Sequence, residues 1–167
     1  MIAGPVIVRF DVTNALPTEV TGGRPTWLTG RVFAPSAARP GLASLVTCLH
    51  GGSYDWRYFH IQVPGRTGYS WAEHLAAHGH VVLVLDQLGV GESARPANPR
   101  KCDRAVIAAA NAAANREAHA RLAAGTLHPQ IAPCPAFVKV GLGHSMGAMA
   151  AVAGQIRFGT YDLLAPI

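Results

Sequence analysis

Phe137-Val138-Lys139-Val140-Gly141-Leu142-Gly143-His144-Ser145-Met146-Gly147 runs from an apolar, strand-like segment straight into a serine with a glycine two residues to either side. Ala148, Ala150 and Ala151 follow at once, small residues that suit a tightly packed helix. The pattern G-x-S-x-G in such a strand–turn–helix setting lifts a serine hydroxyl to the top of a sheet, and the turn is too tight for side chains at the glycine positions. The alternative for Ser145 is a capping serine at a glycine-rich helix start. The preceding strand and the following helix favour a nucleophile.

Working upstream, Ser44-Leu45-Val46-Thr47-Cys48-Leu49 is nearly continuous in its apolar character, as in a strand buried on both faces, and stops at His50-Gly51-Gly52. Val81 to Leu85 reads the same way and stops at Asp86. Between them Ser70-Trp71-Ala72-Glu73 is a capping box, Ala72, Leu75 and Ala76 form an apolar stripe, and Gly79 supplies the stop. Asp103 caps a long Ala-rich helix that reaches about Ala124, with Gly125 beyond it, and the proline-rich Pro129–Pro135 links it to the next strand. Near the amino terminus, Val6–Val12 and Trp27–Phe33 read as two closely spaced strands, hence an antiparallel pair. Leu163-Leu164-Ala165-Pro166-Ile167 reads as a sixth strand beginning. Strands alternating with helices predict an α/β fold with a mostly parallel sheet and right-handed crossovers. No internal repeat or second domain is visible, so residues 1–167 read as one unit.

Composition narrows the function classes. Half of the chain is hydrophobic and 14% is charged, as in a globular protein with a sizeable core. The net charge of +5 comes almost wholly from arginines scattered along the chain, without the basic stripe and interleaved aromatics of a nucleic-acid binder. Cys48, Cys102 and Cys134 fall in no metal-ligand pattern, and no run approaches the length of a membrane span. Arg9, Asp11 and Asn14 break up any signal peptide, leaving a cytoplasmic protein without metal or organic cofactor as the expectation.

Three segments together carry a resemblance: the elbow Gly143–Gly147, the turn His50-Gly51-Gly52, and Asp86-Gln87-Leu88-Gly89-Val90-Gly91-Glu92-Ser93. With them the chain resembles the α/β-hydrolase superfamily over nearly its whole length. The D-x-x-G-x-G-x-S stretch is similar to that of the epoxide-hydrolase, haloperoxidase and monoglyceride-lipase-like branches, and the Gly-His-Ser-Met-Gly elbow to that of monoglyceride lipases and small-molecule esterases. The resemblance implies that Asp86 organises a loop. A central serine departs from epoxide hydrolases and haloalkane dehalogenases, whose nucleophile is an aspartate. The implied activity is a serine hydrolase working on a small-molecule ester or related acyl substrate. Ser145 would be the nucleophile, and the N–H groups of Gly52 and Met146 the oxyanion donors. Ser53 and Tyr54, with Trp56, Tyr58 and Phe59 just beyond, are candidates for a substrate pocket.

The family pattern also calls for a carboxylate and a histidine after the nucleophile. The 22 residues that follow Ser145 contain no histidine and only Asp162 among carboxylates. The expectation is therefore the amino-terminal part of a single α/β-hydrolase domain, truncated within or just after its sixth strand. A catalytically inactive truncated chain or half-domain needing a partner, and an acyltransferase of the same fold, remain alternatives. Of the upstream histidines, His60 lies in a loop of uncertain course and is the first to test as a substitute base. Self-association through an exposed sheet edge is expected as well.

Overall fold

The computed structural model describes residues 5–35 and 43–167. Strand β1 (Val6–Asp11) pairs antiparallel with β2 (Trp27–Phe33), with the single helical turn α1 (Thr18–Thr21) between them. Then follow β3 (Ser44–Leu49), α2 (Trp71–Ala77), β4 (Val81–Leu85), α3 (Arg104–Ala124), β5 (Val138–Gly143), α4 (Met146–Phe158) and β6 (Leu163–Pro166). The six strands form one sheet in the order β1-β2-β4-β3-β5-β6, in which β3, β4, β5 and β6 run parallel and β2 joins β4 antiparallel. The α/β, mostly parallel architecture expected from the sequence is the one observed. Strand β5 begins at Val138, one residue later than the apolar run at Phe137 predicts.

Period-two alternation sorts the central strands onto two cores. Leu45, Leu49, Leu83 and Leu85 face one side with Phe10, Leu28 and the α3 residues Ala110, Ala114, Ala118 and Leu122. Val46, Cys48, Val82 and Val84 face the other, with Phe33, Phe59 and the α2 residues Ala72 and Ala76. The alanines on α3 leave little between its backbone and the sheet, so a 21-residue helix lies close over the strands. Its caps are those the sequence predicts: Asp103 Oδ1 accepts from Val106 N at 2.9 Å, and Gly125 closes the helix at φ 73°. The capping box on α2 is also present, with Glu73 N donating to Ser70 Oγ at 3.0 Å.

Candidate active site

Ser145 stands between β5 and α4 with φ 51° and ψ −114°, a conformation that costs a non-glycine residue energy and persists only where the surroundings impose it. The neighbouring glycines show what imposes it. A Cβ on Gly147 would lie 2.0 Å from the Leu49 carbonyl oxygen, and one on Gly143 would lie 2.5 Å from Ala148 N. The elbow is thus wedged against the end of β3, where side chains at either position would force it away. His144 N donates to Leu49 O at 3.0 Å and Ser145 N donates to Ile167 O at 2.9 Å, so the turn is tied to strands on both sides.

The wedge also brings the turn after β3 to the start of α4. A Cβ on Gly52 would stand 2.7 Å from Met146 Sδ. Met146 opens α4, and an N–H in the first turn of a helix has no partner in the helix ladder. The next residue, Ser53, has φ 66° and is the other non-glycine residue with positive φ among the described residues. The structure therefore brings Ser145, Met146, Gly52 and Ser53 together at the carboxyl ends of the parallel strands.

Behind the turn lies a polar chain that composition alone does not reveal. His50 is buried; its Nδ1 hydrogen-bonds Gly51 O at 2.8 Å and its Nε2 accepts from Gln87 N at 3.2 Å. Gln87 Nε2 donates to His50 O at 2.7 Å, and Asn111 Nδ2 donates to Gln87 Oε1 at 3.4 Å. Asn115 Nδ2 donates to Asn111 O and to the Tyr161 hydroxyl, while Thr47 donates to Asn115 Oδ1 at 2.6 Å. The chain ties the turn after β3 to α3, although buried Asn111 Oδ1 has no hydrogen-bond partner. The spacing of Asn111 and Asn115, four apart among alanines, is the signal from which this could have been found.

Asp86 is fully buried and takes three donors: Arg31 Nη1 at 3.2 Å, Trp56 N at 2.9 Å and Glu92 N at 3.1 Å. These contacts bind β2, the loop after β3 and the loop after β4 to one carboxylate, the geometry of a loop organiser. Arg31, which the sequence reading passed over, is buried with its guanidinium 4.0 Å above the Trp56 ring.

Two cavities open beside the turn after β3, and Ser145 lines neither. One of about 310 Å³ is walled by Gly52, Leu88, Ile107, Met146, Met149 and Ala150, among others. The other, about 590 Å³, is lined by Tyr54, Tyr58, Arg57 and Arg95, and the two share Ser53 and Val90. Of the five candidate pocket residues, Ser53, Tyr54 and Tyr58 line the larger cavity, and Trp56 and Phe59 do not. Phe59 is 2% exposed in the core beneath α2, because a short 3-10 turn (Trp56–Phe59) rotates it inward, and Trp56 stacks on His60.

A model of the alpha/beta hydrolase family matches residues 48–166. The chain belongs to that family. Among solved structures it is similar to a probable hydrolytic enzyme from Pseudomonas aeruginosa PAO1 (19% identity, TM-score 0.66, 97% of this chain and 41% of that one). It is also similar to an epoxide hydrolase from Vigna radiata (13% identity, TM-score 0.61, 99% and 39%). A thioesterase domain from the curacin biosynthetic pathway gives 19% identity and a TM-score of 0.57 over 100% of this chain and 46% of that one. At these identities the likeness is one of fold. The chain spans roughly two fifths of the length of these structures. No curated protein matches it.

Among the described residues no histidine hydrogen-bonds the Ser145 hydroxyl, and buried His119 Nε2 and His144 Nδ1 have no hydrogen-bond partner. His60 is 3% exposed, its Nδ1 hydrogen-bonded to Ser70 Oγ at 2.7 Å at the start of α2, so the loop whose course the sequence left open ends in a helix cap. Burial lowers its pKa, with Glu73 opposing. His78 Nδ1 bonds His74 O, His80 Nδ1 bonds Ser44 Oγ, and His128 Nδ1 accepts from Gln130 N. His119 packs edge-on to Phe137, its pKa pushed down to about 4 by burial and then by Lys139, against the pull of Asp162. His144 lies flat on Tyr58, ring centroids 4.5 Å apart. Asp162 Oδ2 accepts from Lys139 N at the start of β5, the opposite end of that strand from the elbow. Among the described residues no helix is long and apolar enough to cross a membrane, and no cluster of three or more metal-ligating side chains occurs.

Proposed function

We propose that this chain carries the nucleophile of a serine hydrolase acting on a small-molecule ester or related acyl substrate. The single observation behind the reading is the backbone of Ser145, held at φ 51° between a buried strand and a helix by two glycines that no other residue could replace. In the proposed reaction Ser145 Oγ attacks the acyl carbon as its proton passes to a histidine base. The oxyanion accepts hydrogen bonds from Met146 N–H and Gly52 N–H. The acyl–oxygen or acyl–sulfur bond then breaks, the leaving group takes the proton, and water resolves the acyl-enzyme. The apolar cavity beside Gly52 and Met146 suits an acyl chain.

The base and its carboxylate are assigned to residues following Ile167 in a longer protein, the order the family pattern requires. The absence, among the described residues, of a hydrogen bond from any of the eight histidines to the Ser145 hydroxyl favours that assignment over a substitute base. It equally favours a second reading, a half-domain that is inert until another chain supplies those groups. An acyltransferase would use the same residues, with another nucleophile in place of water. A cytoplasmic setting accords with three cysteines that are all free.

An organophosphonate probe applied to the full-length protein tests the assignment. Peptide mapping is expected to find the label on Ser145 and on no other serine. Labelling of Ser53 or Ser93 in its place overturns the reading.

A further inference from the structure

The two cavities beside the turn after β3 differ in chemistry, and the difference bears on the substrate. The smaller one has Leu88, Ile107, Met149 and Ala150 in its wall and contains both proposed oxyanion donors, and its charged residues, Asp103 and Arg104, cancel. The larger one presents two guanidinium groups, Arg57 and Arg95, against a single carboxylate, Asp55. That carboxylate is taken, because Asp55 pairs with Arg57 and caps the Arg57 N–H. Arg95, which lines the cavity, donates through Nη1 to the Gly89 carbonyl and has no carboxylate partner among the described residues. The lining therefore carries a net positive charge of one.

An aromatic wall connects this cationic cavity to the nucleophile. Tyr54 and Tyr58 line it with ring centroids 5.0 Å apart, and Tyr58 lies 4.5 Å from the ring of His144, the residue before Ser145. Ser53 and Val90 belong to both cavities, so they form the ridge between them. A substrate straddling that ridge would place an apolar part on the Met146 side and a polar, anionic part between the tyrosines and Arg95.

We propose that the larger cavity binds an anionic group on the leaving half of the substrate, which makes the substrate class an ester or thioester of an anionic alcohol or thiol. This inference rests on Ser145 being the nucleophile only for the word leaving; the cavity's preference for anions stands on its own residues. A guanidinium fork gains most from a phosphate or carboxylate, through paired charge-assisted hydrogen bonds. The tyrosine faces suit the carbon skeleton that joins such a group to the reacting atom.

Calorimetric titration of the full-length protein with hexyl phosphate, and with hexanol as its neutral match, tests the proposal. Hexyl phosphate is expected to bind at least about tenfold more tightly, and the advantage is expected to shrink as salt is raised. Arg95→Gln is expected to remove most of it, and because Arg95 lies on the surface the variant should fold. Arg57→Gln provides an independent second variant, with a smaller loss because Asp55 already shares its charge. Equal affinity for the two probes, or an advantage that survives both substitutions, overturns the proposal. Phosphonate labelling of Ser145 on the same preparation separates the two ideas. Labelling without phosphate preference sinks the anion site alone, and phosphate preference without labelling sinks the serine reading while upholding the site.

Discussion

The two lateral halves of the sheet are finished to different degrees. On one side β3 and β4 are buried along their whole length, covered by α3 on one face and α2 on the other. On the other side β5 is only half-buried over its first three residues and β6 is an edge, with Leu163 60% exposed. A groove of about 380 Å³ runs over this second region between Trp71, Leu75, Val140, Leu142, Leu163 and Ala165, with no helix over it among the described residues. Helix α4 shows Met149, Val152 and Ile156 to solvent at helical spacing. Ser145 sits on the boundary. The half that holds the turn after β3 is closed, and the half in which the family pattern would set an acid and base is open.

The largest consequence is kinetic. If the closed half supplies only the nucleophile and oxyanion donors, chain 1–167 should hydrolyse activated esters at least about 10⁴-fold more slowly than the full-length enzyme, because loss of a triad member costs that much or more. Single-turnover acylation of the two proteins by one p-nitrophenyl ester measures the ratio. Turnover by chain 1–167 near 1 s⁻¹, an ordinary enzyme rate, would break the comparison, and His60→Ala would then be the first variant to make.

Next in size is the ion pair that closes the first half. Arg31 and Asp86 are both buried, so removing the arginine leaves a carboxylate in the interior without its counter-charge. Arg31→Met is expected to cost about 3–5 kcal/mol. The double variant Arg31→Met/Asp86→Asn should recover part of that loss, since it removes the buried charge, while the amide oxygen can accept from only one of Trp56 N and Glu92 N, which meet different oxygens of Asp86. Urea unfolding midpoints read both. A single variant within 0.5 kcal/mol of the parent would show that the pair does not hold these loops.

How much of this was legible in the sequence follows from the range of the forces. β3, β4 and both long-helix caps could be read, because continuous apolar runs and Asp-x-x or Ser-x-x-Glu signals act over a few residues. The elbow could be read because Gly143 and Gly147 are demanded by local sterics. Arg31 could not, since its value lies in Asp86 and Trp56, which are 55 and 25 positions away. The inward turn of Phe59 was hidden for the same reason: an aromatic run has no period that tells a pocket wall from a core. Likewise the stacking of Tyr58 on His144 depends on where the elbow is wedged, a tertiary fact.

The seam where α3 of the closed half meets the start of β5 carries a pH dependence. His119 keeps its neutral form in the fold, with a pKa near 4, whereas in the unfolded chain it protonates near 6.5. Between those values the unfolded state binds the extra proton, so stability falls as pH drops from about 6.5 to 4, levels off below, and is untouched above. At about 1.4 kcal/mol per unit, less the share of solvent that still reaches the ring, the loss comes to about 2 kcal/mol. His119→Leu should flatten that limb of the stability–pH profile, measured as the difference between variant and parent so that other groups cancel. Identical profiles would place the ring in water.

The smallest effect on folding energy should accompany the clearest change in assembly. Ile156 is 79% exposed on α4 and Leu163 60% exposed on the edge strand, so neither side chain gains much from the fold of one chain. Polar replacements there should move the unfolding midpoint by no more than about 0.5 kcal/mol. Exposed together with Met149, Val152 and the unpaired backbone of β6, however, they present both an apolar patch and a strand template, the two features that drive chains to associate. Chain 1–167 is therefore expected to sediment as a dimer or larger species. Leu163→Lys should weaken association by placing a charge on the edge, and Ile156→Glu by charging the stripe. The pair of substitutions separates the routes, since edge pairing responds to the first and face packing to the second. A monodisperse monomer of the parent chain, melting sharply, would mean that the second half of the sheet is closed after all, and the contrast between the halves would fall with it.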